Sequence, residues 1–168
     1  IDYSNIKIKQ VALGYINVMI ILENGMAFTM GANLNYQTGF RENSNDVKDW
    51  FKLPLPSNYH VIDASAGEEF FLLLINDNSN KNRLYSIGCN DNGRAGVGNT
   101  NNNKLQLCHN VENIECKFIT TRNMSCAAIT TTGQLYTWGS NSYSALGQEA
   151  YHSQDIKTPM LVETLKDY

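Results

Sequence analysis

The chain reads as an all-β repeat protein whose units are propeller blades. Three observations predict this. A Gly-x-Asn phrase occurs three times, at Gly31-Ala-Asn33, Gly88-Cys-Asn90 and Gly139-Ser-Asn141. Each phrase closes a short apolar run: Phe28-Thr-Met30, Tyr85-Ser-Ile87 or Tyr136-Thr-Trp138. The phrases are spaced by about fifty residues, the period of a repeat built from several short strands. A further glycine follows eight residues after each anchor, at Gly39, Gly96 and Gly147. The expected architecture is three four-stranded antiparallel blades, at 7–59, 60–114 and 115–168, forming part of a larger propeller.

The first strand of each unit is expected at Ile8–Leu13, Val61–Ser65 and Phe118–Thr121, with a turn after it at Gly14, Gly67 and Arg122. The second strand is the most apolar: Val18–Leu22, Phe71–Ile75 and Cys126–Ile129. Runs that are apolar on both faces suit strands sandwiched between neighbouring layers. Glu23-Asn-Gly25 and Thr131-Thr-Gly133 then supply hairpin turns, and Asn-Gly predicts two central residues with positive φ. In the middle unit this turn is stretched by Asp77-Asn-Ser-Asn-Lys81, an insertion that a loop tolerates at small cost. Third strands carry Phe28, Tyr85 and Tyr136 at one position. Met30, Ile87 and Trp138 follow two residues later and so share a face. These six are expected in a belt between blades. A weaker fourth strand is expected near Leu53–Leu55, Leu105–Leu107 and Pro159–Val162.

Composition bounds the function. The 168 residues are 42% hydrophobic with a formal net charge of −3, enough for a packed core and without a basic block for nucleic acid. The longest apolar run, Phe70–Ile75, is too short to span a membrane. The four cysteines, Cys89, Cys108, Cys116 and Cys126, contain no C-x-x-C pair and read as free buried thiols of an intracellular protein, cytoplasmic or nuclear. Beginning at Ile1 inside a strand-like stretch, the sequence is expected to be a piece of a longer chain. Asn123-Met-Ser125 is a glycosylation sequon by chance, since it enters a strand.

The phrase G-x-N-x-x-G-x-x-G-x-G after an aromatic-rich strand resembles the repeat of the regulator of chromosome condensation family. The middle unit fits best, with Gly88, Asn90, Gly93, Gly96 and Gly98. The third matches at Gly139, Asn141 and Gly147, with Ser144 at the middle glycine and Glu149 at the last. In the first unit, Gly31, Asn33 and Gly39 remain, while Tyr36 and Arg41 replace two glycines. Asn17, Phe70 and Ser125 stand where the family tends to carry His. The resemblance implies a propeller of seven blades, of which this chain would hold three. It places Gly31, Asn33, Gly39, Gly88, Asn90, Gly93, Gly96, Gly139, Asn141 and Gly147 as structural anchors.

No catalytic constellation stands out, and neither a cofactor nor a metal site is expected. Gly93-Arg-Ala-Gly96-Val-Gly98 lacks the Lys-Ser/Thr and helix of a phosphate loop and reads as tight turns. His60, His109 and His152 occupy unmatched positions. The candidate partner-binding residues are Trp50, Phe51, Glu68, Glu69 and Arg94. Trp50 and Phe51 put two aromatics into a polar loop, the residue type that anchors protein interfaces. Packing beneath that loop is the alternative. Glu68 and Glu69 form a carboxylate pair at a turn. Arg94 reads as a loop cation available to a partner. The expected function is a non-catalytic protein-interaction scaffold. The resemblance implies two alternatives: guanine-nucleotide exchange on the small GTPase Ran, and a binding-inhibitor or sensor module. Expected partners are other proteins, a small GTPase among them, and further propeller blades from the same or another chain.

Overall fold

Each unit folds into its own four-stranded antiparallel sheet. The computed structural model describes residues 7–41, 44–77, 80–99, 103–148 and 151–165. The first sheet contains β1 (Ile8–Leu13), β2 (Asn17–Leu22), β3 (Ala27–Ala32) and β4 (Asp46–Lys52), paired in that order. The second contains β5 (His60–Ala66), β6 (Phe70–Asn76), β7 (Asn82–Gly88) and β8 (Gln106–Leu107). The third contains β9 (Cys116–Arg122), β10 (Ser125–Thr130), β11 (Leu135–Gly139) and β12 (Ile156–Leu161). The up-and-down order within each sheet is that of a propeller blade. Among the described residues no helix is long and apolar enough to cross a membrane.

The repeat is exact in register. Ile20 pairs with Phe28, Leu73 with Tyr85, and Ala128 with Tyr136. Two positions along, Val18 pairs with Met30, Phe71 with Ile87, and Cys126 with Trp138. Alternation then sends these four residues of each blade that has a predecessor towards that predecessor. Phe71, Leu73, Tyr85 and Ile87 of blade two pack on Met19, Ile21 and Leu53 of blade one. Cys126, Ala128 and Trp138 of blade three pack on Phe70, Leu72, Leu74 and Leu84 of blade two. Both faces of β6 are therefore buried, which is why Phe70–Ile75 reads as an unbroken apolar run.

The expected belt is half realised. Trp138 is completely buried, and Ile87 and Tyr85 are nearly so. Phe28 and Met30 are only half-buried because their face of blade one has no neighbour among the described residues. Val11 and Leu13, on the same face, are 51% and 74% exposed.

Three local expectations are corrected. In the Glu23-Asn-Gly25 turn only Gly25 has positive φ, at +80°. Gly25 N donates to Leu22 O and Leu22 N to Met26 O, so a three-residue loop closes the hairpin rather than a two-residue one. The fourth strand of blade one is Asp46–Lys52, not Leu53–Leu55. Pro54 and Pro56 lack the N–H a strand needs, and only Leu53 N reaches the sheet, on Ala27 O at 2.9 Å. In blade three the fourth strand begins three residues before Pro159, at Ile156. Glu149, and Asn78 and Ser79 of the middle insertion, lie outside the described residues.

Candidate protein-interaction surface

The Gly-x-Asn phrase builds one loop three times. Gly31, Gly88 and Gly139 are the last residues of the third strands to pair with the second, at φ +114°, +114° and +97°. An added Cβ would lie 2.5, 2.5 and 2.2 Å from the carbonyl oxygens of Ile16, Glu69 and Met124. Those carbonyls accept from the next amide along, Ala32, Cys89 and Ser140, each at 2.9 Å. Only glycine lets the two backbones approach this closely.

The asparagine then holds the loop together. Asn33 Nδ2 donates to the Phe40 carbonyl at 3.1 Å, and its Oδ1 accepts from Thr38 N at 3.2 Å. Asn90 bonds the Gly98 carbonyl at 2.9 Å and Ala95 N at 3.1 Å. Asn141 bonds the Tyr151 carbonyl at 2.6 Å and Leu146 N at 3.1 Å. A hydroxyl completes each loop, and sequence reasoning missed it. Thr29, Ser86 and Thr137 donate from the third strand to the carbonyls of Thr38, Ala95 and Leu146, at 2.6, 2.7 and 2.8 Å. The signal was present as the Thr or Ser between the two large side chains of every third strand. These groups satisfy loop backbone that would otherwise be buried without partners. Their polar atoms are spent within the loops.

The candidate partner-binding residues separate into two groups. Arg94 is 5% exposed. Its loop folds down onto blade three, where its carbonyl accepts from Trp138 Nε1 and Cys126 Sγ, each at 3.2 Å. Its Nε donates to the Asp91 carbonyl at 3.0 Å, and Nη1 stands 4.0 Å from Glu69 Oε2. Glu69 Oε2 also accepts from Asn35 Nδ2 at 3.2 Å, so the carboxylate ties the loops of blades one and two together. Glu68 lies half-buried at the seam with blade three, its amide donating to Asn123 O at 3.0 Å. Arg94 is thus a packed residue rather than an available loop cation.

Trp50 and Phe51 are not on a loop but on β4, the outermost strand of blade one. The strand alternates, so the two rings diverge. Phe51 stacks edge-on against Phe40 with ring centroids 5.1 Å apart. Trp50 is 46% exposed, with exposed Lys48, Asp49 and Lys52 about it. Among the described residues β4 pairs with β3 alone, so its other edge is an open strand edge there.

Two recesses open beside these elements. A polar one of about 600 Å³ lies over the loops of blades one and two, with Asn35, Tyr36, Asn90, Asn92 and Lys157 in its lining. A smaller and more apolar one, of about 280 Å³, lies beyond the end of β4 at the seam of blades one and two. Among the described residues no three His, Cys, Asp or Glu side chains converge as metal ligands. All four thiols are buried and free, and burial pushes the Cys108 thiol up to about 12 and the Cys116 thiol to about 11. Such thiols are poor nucleophiles.

Comparison with known proteins agrees with this geometry. A family model described as "Regulator of chromosome condensation (RCC1) repeat" matches residues 132–168. The chain is 29% identical over 175 residues to the E3 ubiquitin-protein ligase HERC2 of Homo sapiens, covering 97% of this chain and 3% of that protein. It is 26% identical over 170 residues to a bifunctional serine/threonine-protein kinase/NEDD4-like E3 ubiquitin-protein ligase of Dictyostelium discoideum, covering 95% of this chain and 9% of the relative. Among solved structures, Prp20p of Saccharomyces cerevisiae superposes with a TM-score of 0.78 at 21% identity, over 92% of this chain and 38% of that one. That structure was described together with its binding properties to Gsp1p and histones. The chain therefore spans a small part of each relative's length.

Proposed function

We propose that this chain, a segment of a propeller of the regulator of chromosome condensation type, is a non-catalytic protein-interaction scaffold inside a larger protein. The observation that carries the reading is the division of labour between side chains. Repeat residues are spent on loop closure and blade packing, whereas Trp50 stands exposed on an edge strand without a comparable packing role. A half-exposed tryptophan beside open strand edges supplies the anchor and the backbone hydrogen bonds that a partner segment uses. Large ligases that contain a similar segment fit a module which recognises and does not catalyse. The free thiols fit an intracellular compartment.

Guanine-nucleotide exchange is the second reading. It rests on the likeness in fold to Prp20p, whose description names Gsp1p binding. Exchange acts by displacing nucleotide, so it requires no catalytic side chains in this chain. One experiment separates the two. The protein containing this segment is used as bait against lysate, as wild type and as Trp50→Ala, and is assayed for release of labelled GDP from Ran. Scaffolding predicts partners that are lost with Trp50→Ala and no acceleration of release. Accelerated GDP release would favour exchange. Partner recovery unchanged by Trp50→Ala would remove β4 from the binding surface.

A further inference from the structure

We propose that the outer edge of β4, from Asp46 to Asp49, is a docking seat for an asparagine–glycine loop of a further repeat unit in the larger protein. This rests on the reading of the chain as a segment of such a protein. It goes beyond the scaffold function by naming a contact that lies beside Trp50 and serves assembly.

The seat is recognised by comparison within the chain. Gly31 pairs with Val47 and Thr29 with Phe51, while Gly139 pairs with Ile156 and Thr137 with Met160. Asp46-Val47-Lys48 and Asp155-Ile156-Lys157 therefore occupy the same place in blades one and three. In both blades extra residues bulge the fourth strand between the paired positions, which turns its outer side towards a neighbour. In blade three that neighbour is the loop of blade two. Asn92 Nδ2 donates to Asp155 Oδ2 at 2.6 Å, and Gly98 N donates to the Lys157 carbonyl at 3.0 Å. Lys157 Nζ donates to Asn99 Oδ1 at 2.8 Å. Ile156 and Pro159 are buried there. In blade one their counterpart Val47 is half-buried and Trp50 is exposed, as are Asp46, Lys48 and Asp49. Blade one thus repeats the carboxylate, the carbonyl and the cation of a contact that it does not make among the described residues. Trp50, at the place of Pro159, borders the seat.

The fit also selects the occupant. A Cβ on Gly93 would collide with Lys157 Cα, so a loop seated this closely carries glycine at that position. The other two loops carry Tyr36 and Ser144 in its place. The loop with Tyr36 faces a blade in which residues 103–105 form no strand and only Gln106–Leu107 pairs. Below the loop with Gly93, β12 runs for six residues, and β4 runs for seven. β4 is therefore built like the strand that receives a glycine loop. A second copy of this chain does not supply one. Its Gly93 loop is already seated on β12, and its loop at 141–147 has the Cβ of Ser144 at the point of closest approach. The loop that fits reads Asn-Gly-x-x-Gly-x-Gly, with the Asn amide on Asp46 and the last Gly amide on the Lys48 carbonyl.

The test places the photocrosslinker p-benzoylphenylalanine at Lys48 or Asp49 in the protein containing this segment, and adducts are mapped by mass spectrometry. Lys157→p-benzoylphenylalanine is the reference and should label residues 92–99. Positions 48 and 49 are expected to label one segment of the same polypeptide that has glycine at the place of Gly93. Asp46→Lys should lower the melting temperature of the whole protein and leave that of the 168-residue chain unchanged, since Asp46 is exposed in the chain. The proposal is overturned by adducts on another protein, on residues 141–147 of a second copy, or on a segment without that glycine. Absence of adducts from both positions while position 157 labels its loop has the same meaning, as does an Asp46→Lys protein of unchanged stability. If partner capture still depends on Trp50 in any of these cases, the scaffold reading stands and only this inference is lost.

Discussion

Trp138 of blade three lies over Gly96 of blade two, and the two positions are cut to fit each other. An added Cβ at residue 96 would stand 2.8 Å from the indole Nε1 and 3.1 Å from Pro159 Cδ. The indole N–H donates to the Arg94 carbonyl at 3.2 Å, so the loop of one blade grips the core residue of the next. One blade earlier the fit is looser: a Cβ on Gly39 would make ordinary contact with Ile87 Cδ1 of the next blade at 3.5 Å, its tight neighbour being Leu53 Cδ1 of its own blade at 2.8 Å. At Gly147, the counterpart in blade three, a Cβ would meet no atom of the described residues within 4 Å.

Gly96→Ala and Gly147→Ala should therefore differ. Both residues have positive φ, +73° and +66°, and both lose about 1–2 kcal/mol to backbone strain. Gly96→Ala also overpacks against Trp138, adding about 1–3 kcal/mol. Urea unfolding of the two variants checks this. Equal losses would mean that the seam yields without cost. Trp138→Ala, which empties a fully buried site, should cost about 3–5 kcal/mol.

The loop positions without glycine make the opposite case. Ser144 has φ +58° at the place where blade two has Gly93 at +74°. Ser144 is exposed, so glycine there removes strain without opening a cavity. Ser144→Gly should stabilise the chain by about 0.5–1 kcal/mol after the entropy lost from a freer unfolded chain. A lower melting temperature would show that the hydroxyl or Cβ has a role of its own.

Much of the fold was legible because its determinants are local. Gly31, Gly88 and Gly139 announce a backbone geometry that no other residue adopts, and the two-sided run Phe70–Ile75 announces a strand with neighbours on both faces. β4 was illegible for an equally physical reason. Asp46–Lys52 lies at an edge, largely exposed, and so carries no apolar alternation to read. Arg94 misled because charge suggests solvent, whereas its burial follows from a contact with blade three that is distant in sequence. The candidate interaction residues are the least legible part, since the exposure of Trp50 follows from the place of β4 at the edge of its sheet, which no local pattern announces.

Asn90 and Ser86 give a test of loop closure. Asn90→Ala removes the hydrogen bonds to Ala95 N and the Gly98 carbonyl and leaves both groups to find other partners. The loss should be about 2 kcal/mol, and that for Ser86→Ala about 1 kcal/mol. The two act on one loop through Ala95, whose N–H bonds Asn90 and whose carbonyl accepts from Ser86. The double variant should lose less than the sum of the single ones.

The buried thiols set an alkaline limit. Burial raises Cys108 to about 12, raises Cys116 to about 11, and raises Cys126 well above the ordinary value of 9.0. Above pH 9 the unfolded chain gives up these protons while the folded chain keeps them. Stability from this source is therefore complete below the ordinary thiol range and falls as pH rises through it towards 11–12. Each thiol contributes a slope of up to about 1.4 kcal/mol per pH unit. Unfolding midpoints measured from pH 8 to 10 should fall, and should fall less steeply in Cys108→Ala. Identical slopes would mean that the thiol titrates freely in the folded protein.

The uncovered face of blade one gives the last test. Val11, Leu13, Val18, Ile20, Phe28 and Met30 share that face, whereas the corresponding Phe71, Leu73, Tyr85 and Ile87 of blade two are buried under blade one. A contiguous apolar sheet face of this kind promotes association when nothing covers it. The 168-residue chain alone should sediment as more than a monomer and bind a hydrophobic dye. Val11 and Leu13 are exposed at 51% and 74%, so Val11→Lys and Leu13→Lys cost little packing within the chain. The double variant should shift the chain towards monomer and reduce dye binding, with a melting temperature close to that of the parent. In the larger protein the same changes should lower stability, because there they would place two charges against a covering surface. If the parent chain is already monomeric and dye-free, or if the larger protein tolerates both lysines, this face is ordinary solvent-exposed surface and the propeller does not continue across it.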